Sequence, residues 1–174
     1  MKYIALLRGI NVGGNKKVDM KKLKTTFESM GFKNVYTYIN SGNIIFDSSE
    51  KTNLDKKIEK KIKSIFGFDV DVIVKTQNQI KKIVNTIPKT WINNPEQRTD
   101  VAFLFSDVDN KNILDQLPIN KEWLSVRYTK GALYWNMERK NLNKSRLNKL
   151  ISHKLYKFMT IRNINTSRYL ANYK

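Results

Sequence analysis

Three segments of this chain hold residues whose types and spacing suit anion binding. The first is Arg8-Gly9-Ile10-Asn11-Val12-Gly13-Gly14-Asn15-Lys16-Lys17. Its glycines allow positive φ and close approach of a ligand. Successive amides in such a loop make a concave anion site, and a following helix adds its positive end. The known phosphate-loop patterns do not fit. Gly9 and Gly14 have the Walker A spacing, but Asn15 stands where the Lys belongs and Lys16 takes the Ser/Thr place. There is no Gly-x-Gly-x-x-Gly either. A tight surface loop whose glycines serve only geometry is an equal reading.

The second segment is Tyr38-Ile39-Asn40-Ser41-Gly42-Asn43, and the third is Thr160-Ile161-Arg162-Asn163-Ile164-Asn165-Thr166. Taken alone, Asn40, Ser41, Gly42 and Asn43 are ordinary hairpin-turn residues. The third run is dense in hydrogen-bonding groups, although Asn165 or Thr166 also serves as a helix cap.

The elements that must position these segments follow from hydrophobic periodicity. Residues 2–8 read as a strand and 20–30 as a helix capped by Asp19 and ended by Gly31. Asn34–Ile39 and Asn43–Asp47 form a hairpin around Ser41-Gly42. Thr52 opens a second helix, with Leu54, Ile58, Ile62, Ile65 and Phe66 inward, and Val70–Lys75 is a strand. The order β-α-β-β-α-β is that of the ferredoxin-like split βαβ unit, with sheet order 4-1-3-2. Strands one and three, Tyr3–Leu7 and Ile44–Phe46, carry the continuous apolar runs expected in mid-sheet. In this topology the loop after the first strand and the hairpin after the second lie at one edge. Their amides, Asn side chains and Arg8 therefore converge.

The second half opens with a helix carrying a Thr76/Gln79 capping box and an Ile80, Ile83, Val84, Ile87 stripe. A loop from Pro88 to Arg98 follows. Then come a strand (Asp100–Phe105), a short helix (110–117) and a hairpin pairing Trp123–Thr129 with Ala132–Met137 across Lys130-Gly131. A helix at 143–157 and a last one at 165–173 complete the chain. From residue 99 the order β-α-β-β-α resembles part of the first half without a sequence repeat. The fold class is thus α+β, with a ferredoxin-like half at 1–75 and a second, smaller α/β half at 76–174.

With 174 residues, 40% of them hydrophobic, the chain is long enough for a real core. No run of about 18 apolar residues is present, so no membrane span is expected. Residues 1–8 are too short for a signal-peptide core and run straight into the Gly loop. There is no cysteine, which removes disulfides and thiolate chemistry. We expect a cytoplasmic protein. The net charge is +18, from 33 basic and 15 acidic residues. The final segment, 139–174, holds 10 basic residues and no carboxylate, a potential that attracts polyanions. The competing reading is compositional: Lys, Asn and Ile are abundant throughout, and Lys-rich helix faces are commonly just solvated.

The N-terminal run Tyr3–Asn15, the Tyr38–Asn43 hairpin and the Arg162–Thr166 tail together resemble the bacterial family called domain of unknown function 1697. The three motifs come in the family's order and span nearly the whole chain. The family's pattern usually has Trp in the middle of the last motif, where this sequence has Ile164. The resemblance implies a compact protein of two α/β parts, the first ferredoxin-like. It implies no activity, since none is established for the family.

Catalytic residues are not evident. His153 is the only histidine, and it sits within a basic segment. No cluster has metal-ligand spacing, so no metal or cofactor is expected. Asp69 and Asp71 share a strand face at a strand start, where solvation is the ordinary state. Trp91, Trp123 and Trp135, with Tyr128 and Tyr134, offer either stacking surfaces or core packing. The aromatic run of RNA-recognition sheets is absent from the third strand. The leading expectation is a binding protein for a phosphate-bearing ligand, nucleic acid first. Arg8, Asn11, Gly13, Gly14, Asn15 and Lys17 would hold phosphate. Asn40, Ser41, Gly42 and Asn43 would flank it, and Arg162, Asn163, Asn165 and Thr166 would close the site. The alternatives are an enzyme on a small phosphorylated or anionic metabolite, relying on electrostatic stabilisation, and a non-catalytic scaffold.

Overall fold

The first strand, β1 (Lys2–Leu7), is apolar on both faces, and such a strand belongs in the middle of a sheet. In the computed structural model, which describes residues 1–14 and 16–174, β1 lies between β3 (Asn43–Asp47) and β4 (Val72–Thr76), antiparallel to both. The edge strand β2 (Lys33–Tyr38) pairs with β3, giving the order β2-β3-β1-β4. Two helices complete this part, α1 (Met20–Ser29) and α2 (Leu54–Phe66). Asp19 caps α1 by accepting the Lys22 amide at 2.7 Å. Leu23 and Phe27 of α1 and Ile58 and Ile62 of α2 pack with Tyr3, Ala5, Leu7, Ile44 and Phe46 of the sheet. The Phe46 ring is the hub, 4.5 Å from Phe32, 5.4 Å from Phe27 and 5.8 Å from Tyr3 between centroids. Two expectations for α2 fail. Its N-cap is Asn53 in the left-handed region, not Thr52, and Ile65 faces solvent.

The chain divides into two compact units, Met1–Gln77 and Asn78–Lys174, so the second is the larger and not, as expected, the smaller. Helix α3 (Gln77–Asn85) follows β4 directly, with Thr76 the last residue of the strand. In the second unit β5 (Gln97–Leu104) lies between β7 (Ala132–Glu138) and β8 (Met159–Asn163), with β6 (Ser125–Thr129) at the edge beside β7. The order β6-β7-β5-β8 repeats that of the first sheet, strand for strand. Ala102, Leu104, Leu133 and Trp135 supply one wall of this unit's core, and Ile113, Leu124, Leu147, Leu150 and Leu155 the other. Among the described residues no helix is long and apolar enough to cross a membrane.

The connections here are less regular than their periodicity implies. The expected helix at 110–117 is a 3-10 turn, Lys111–Asp115. The expected helix at 143–157 is reduced to one turn, α4 (Lys149–Ser152), and a 3-10 segment, Lys154–Phe158. Local hydrogen bonding explains the loss. Ser145 is buried, its hydroxyl donates to the Leu142 carbonyl at 2.7 Å, and Arg146 turns left-handed. Ser and Asn give the backbone alternatives to helix, and this segment is rich in both. Strand β8 breaks up what reads as a polar loop motif. Helix α5 (Ile164–Asn172) then closes the chain.

Both sheets join their first strand to their hairpin in the same way. The Leu7 amide donates to the Gly42 carbonyl at 2.8 Å, and the Leu104 amide to the Gly131 carbonyl at 3.0 Å. In the second unit Asp109 latches this edge, accepting from the Gly131 amide at 2.7 Å and the Tyr128 hydroxyl at 2.9 Å, with Lys130 at 3.2 Å. Burial pushes the Asp109 carboxyl up, but these three partners together hold it below its ordinary value. A depressed folded-state value means the latch stabilises above about pH 4 and is lost as pH falls through the folded-state value. Asp109→Ala is therefore expected to lower stability by ~2 kcal/mol at neutral pH. Urea denaturation of wild type and variant across the acid range should show the difference shrinking towards low pH.

Gly42 has tight surroundings. A Cβ built there lies 2.7 Å from Leu7 Cβ and 2.8 Å from Ile10 Cδ1, and φ is +77°. Gly42→Ala is expected to cost about 1–3 kcal/mol through overpacking alone, with more from the left-handed backbone. Thermal denaturation measures it, and a transition unchanged from wild type would show that the hairpin does not need this approach.

Candidate functional site

The loop between β1 and α1 is shaped by Asn11. Its side-chain oxygen accepts from the Val18 amide at 2.8 Å, and its side-chain nitrogen donates to the Val18 carbonyl at 3.0 Å. The same nitrogen donates to the Asn40 carbonyl at 2.9 Å. The Asn11 amide bonds the Lys16 carbonyl at 3.2 Å. One carboxamide thus closes the loop on itself and ties it to the β2–β3 hairpin. The loop and the hairpin do meet at one sheet edge. Gly13 (φ 62°) and Gly14 (φ 79°) are both left-handed and exposed, and a Cβ on either would meet nothing, so they serve backbone direction. Asn15 lies outside the described residues.

Several motif residues turn inward. Asn43 is fully buried, donating to the Tyr38 carbonyl and to the Ser41 hydroxyl, both at 3.0 Å. It clamps the hairpin and does not face a ligand; Ser41 and Gly42 belong to the same clamp. Arg8 is half-buried and lies 3.5 Å from Asp71, while its amide donates to the Asp71 carbonyl at 3.0 Å. Asp69 is paired with Lys63 at 3.0 Å. These two aspartates are largely exposed, as expected, and each faces a cation.

What remains exposed at this edge is an open groove of about 640 Å³ lined by Asn11, Gly14, Lys17, Asp19, Lys21 and Asn40, among others. Lys17 and Lys21 are exposed on it. The sequence reading includes Lys17 but misses Lys21. The signal for Lys21 lies in the first turn of α1, Met20-Lys21-Lys22, which holds no acidic residue. Cations there oppose the helix dipole, which favours acids. The expected positive helix end is partly answered by Asp19, whose carboxylate takes the Lys22 amide.

The tail motif lies in the second unit. Arg162, on β8, is 7% exposed and donates to the Thr160 hydroxyl and the Ile161 carbonyl, both at 2.9 Å. Burial lowers it to about 10, and it stays protonated at neutral pH. Asn163, not Asn165 or Thr166, caps α5, accepting the Thr166 amide at 2.9 Å. Thr166 is buried. Asn165 reaches the Asn93 carbonyl at 3.4 Å, and Arg168 the Pro88 carbonyl at 3.2 Å, so α5 tethers the 88–98 loop. Ile164 is fully buried, which makes the position an apolar core site.

The fold and these loops place the chain in a class of α+β proteins with two four-stranded antiparallel sheets. Residues 1–134 match the family described as protein of unknown function (DUF1697), and the chain belongs to that family. The matched span includes the first two motifs and ends before the third. The fold is similar to that of the conserved bacterial protein SP0830 from Streptococcus pneumoniae. The TM-score is 0.82 at 24% identity, over 98% of this chain and 96% of that one. No curated protein matches the sequence.

Asn11 gives a direct test of the loop's construction. Asn11→Asp keeps the acceptor for the Val18 amide but loses both donor bonds, and Asn11→Ala loses all three. Each lost bond contributes about 1 kcal/mol, and the Asp carboxylate would also face the Val18 and Asn40 carbonyl oxygens, so both variants should be less stable than wild type. Hydrogen exchange at the Val18 amide should accelerate only in Asn11→Ala.

Proposed function

We propose that the first unit is a ferredoxin-like split βαβ unit whose loop edge binds a phosphate-bearing ligand, nucleic acid first. The observation that carries this reading is the open groove with Lys17 and Lys21 on it, in a chain of net charge +18. Small metabolites are ordinarily held in enclosed pockets that bury most of their surface. An open groove suits a polymer that passes across it. Lysines in the first turn of α1 run against the dipole preference, and such departures from local stability rules concentrate at functional sites. Lys17 and Lys21 would contact phosphate directly. The Asn40 side chain, exposed beside them, would bond sugar or phosphate oxygens. Arg8, facing Asp71, would act through the local field.

Fluorescence anisotropy with single-stranded RNA, duplex RNA and duplex DNA over a salt series tests this. Replacing Lys17 and Lys21 together by Ala removes two phosphate contacts. The slope of log K against log salt should then become shallower by about 1.4 for a single strand or about 1.8 for a duplex. An unchanged slope in the double variant would remove the groove from the binding surface.

A further inference from the structure

The aromatic residues that a sequence reading leaves undecided separate clearly in the second unit. Trp135 is buried, with its indole N–H on Asp100 at 3.2 Å. Tyr134 is buried, and its ring meets Trp91 edge-on at 5.9 Å. Trp91 also carries the Arg127 guanidinium 5.0 Å above its ring. Tyr128 is spent on Asp109. Among the described residues Trp123 is the one exposed tryptophan, at 36%.

Trp123 precedes β6 and lines a second open groove, of about 510 Å³, together with residues from the end of β7 and the segment after it. This is the far end of the hairpin from Lys130-Gly131. Three exposed lysines line the groove: Lys121, Lys140 and Lys144. The Lys144 ammonium stands 4.2 Å from the centre of the Trp123 ring. Lys140 and Lys144 open the segment 139–174, which has 10 basic residues and no acid. A flat aromatic face flanked by exposed cations is the arrangement that takes a base by stacking and its phosphates by charge. Two carboxylates, Glu122 and Glu138, share the lining, and Glu138 pairs with Lys140 at 2.7 Å. They oppose a duplex, which would offer only phosphates here. A single strand offers base edges as well, and a carboxylate accepts from an exocyclic amine.

We infer that the Trp123 groove binds single-stranded nucleic acid, one base stacking on the indole in place of the Lys144 ammonium, which moves to the adjacent phosphate. The inference rests on the reading above for the class of ligand, but the site is a separate one.

The test is titration of the full chain with a deoxycytidine oligonucleotide of about 12 nucleotides and with a duplex. Anisotropy and tryptophan fluorescence are read for wild type, Trp123→Ala, Trp123→Phe, the Lys121→Ala/Lys144→Ala pair and the Lys17→Ala/Lys21→Ala pair. Expected are quenching by the single strand and at least about fivefold weaker single-strand binding in Trp123→Ala, the scale of one lost stacking contact. Trp123→Phe should recover most of it, and duplex binding should hardly change. Should Trp123→Ala not fold, the Lys121→Ala/Lys144→Ala pair carries the same comparison. Single-strand binding that is indifferent to residues 121, 123 and 144 but sensitive to Lys17 and Lys21 overturns the inference and leaves the first groove standing. The reverse pattern upholds the inference and removes the first groove. Binding of duplex alone overturns the inference only, and no binding of either polymer overturns both.

Discussion

One carboxamide fixes the shape of the edge on which the functional reading depends. Asn11 makes both members of a ladder-like pair with Val18 and a third bond across to the hairpin at Asn40. With its oxygen and its donors so used, it is a brace and not a ligand group. Gly42 is its complement: the lack of a side chain lets the hairpin close on Leu7 and Ile10. The motif residues that look most chemical in the sequence are therefore spent on holding two loops together. Lys17 and Lys21 remain exposed on the resulting groove.

Positive charge is used in two opposite ways. Arg162 is buried on β8, held by a hydroxyl and a carbonyl, and burial brings it down to about 10. Its charge is fixed and desolvated, and a partner in solution does not reach it. Lys17, Lys21 and Lys144 are exposed. Lys21 opposes the α1 dipole, and Lys144 lies over an aromatic ring. Surface charge of that kind is free to act at range on a polyanion, and salt screens it.

Much of the first unit was legible because each signal was local and they agreed. The apolar runs of Tyr3–Leu7 and Ile44–Phe46 lie in β1 and β3, and both strands are central. Asp19 caps α1. In the second unit local signals conflicted with tertiary ones. Leu147, Leu150 and Leu155 have helical spacing and are buried, yet Ser145 and Arg146 break the helix between them and the preceding turn. Strand β8 was illegible because both of its faces are largely buried while two of its buried side chains are Thr160 and Arg162. Neither alternation nor an apolar run survives such a composition. At the candidate site, Lys17 was legible from the loop. Lys21 required knowing that the groove continues onto the first turn of the helix.

The two sheets show one edge built twice with different chemistry. In each, the last amide of the first strand bonds the glycine carbonyl of the hairpin, and the next amide bonds a residue at or just before the fourth strand: Arg8 to Asp71, and Phe105 to Phe158. In each, a side chain from the following loop then ties down the hairpin. In the second unit that side chain is Asp109, and its charge is answered on the spot by Lys130, Tyr128 and the Gly131 amide. In the first it is neutral Asn11, so the edge is braced without consuming a cation. An edge latched by a saturated carboxylate has neither the donors nor the field to attract an anion. An edge latched by a neutral amide leaves Lys17 and Lys21 available. The repeated geometry thus braces both edges, through a charged latch in the second unit and a neutral one in the first.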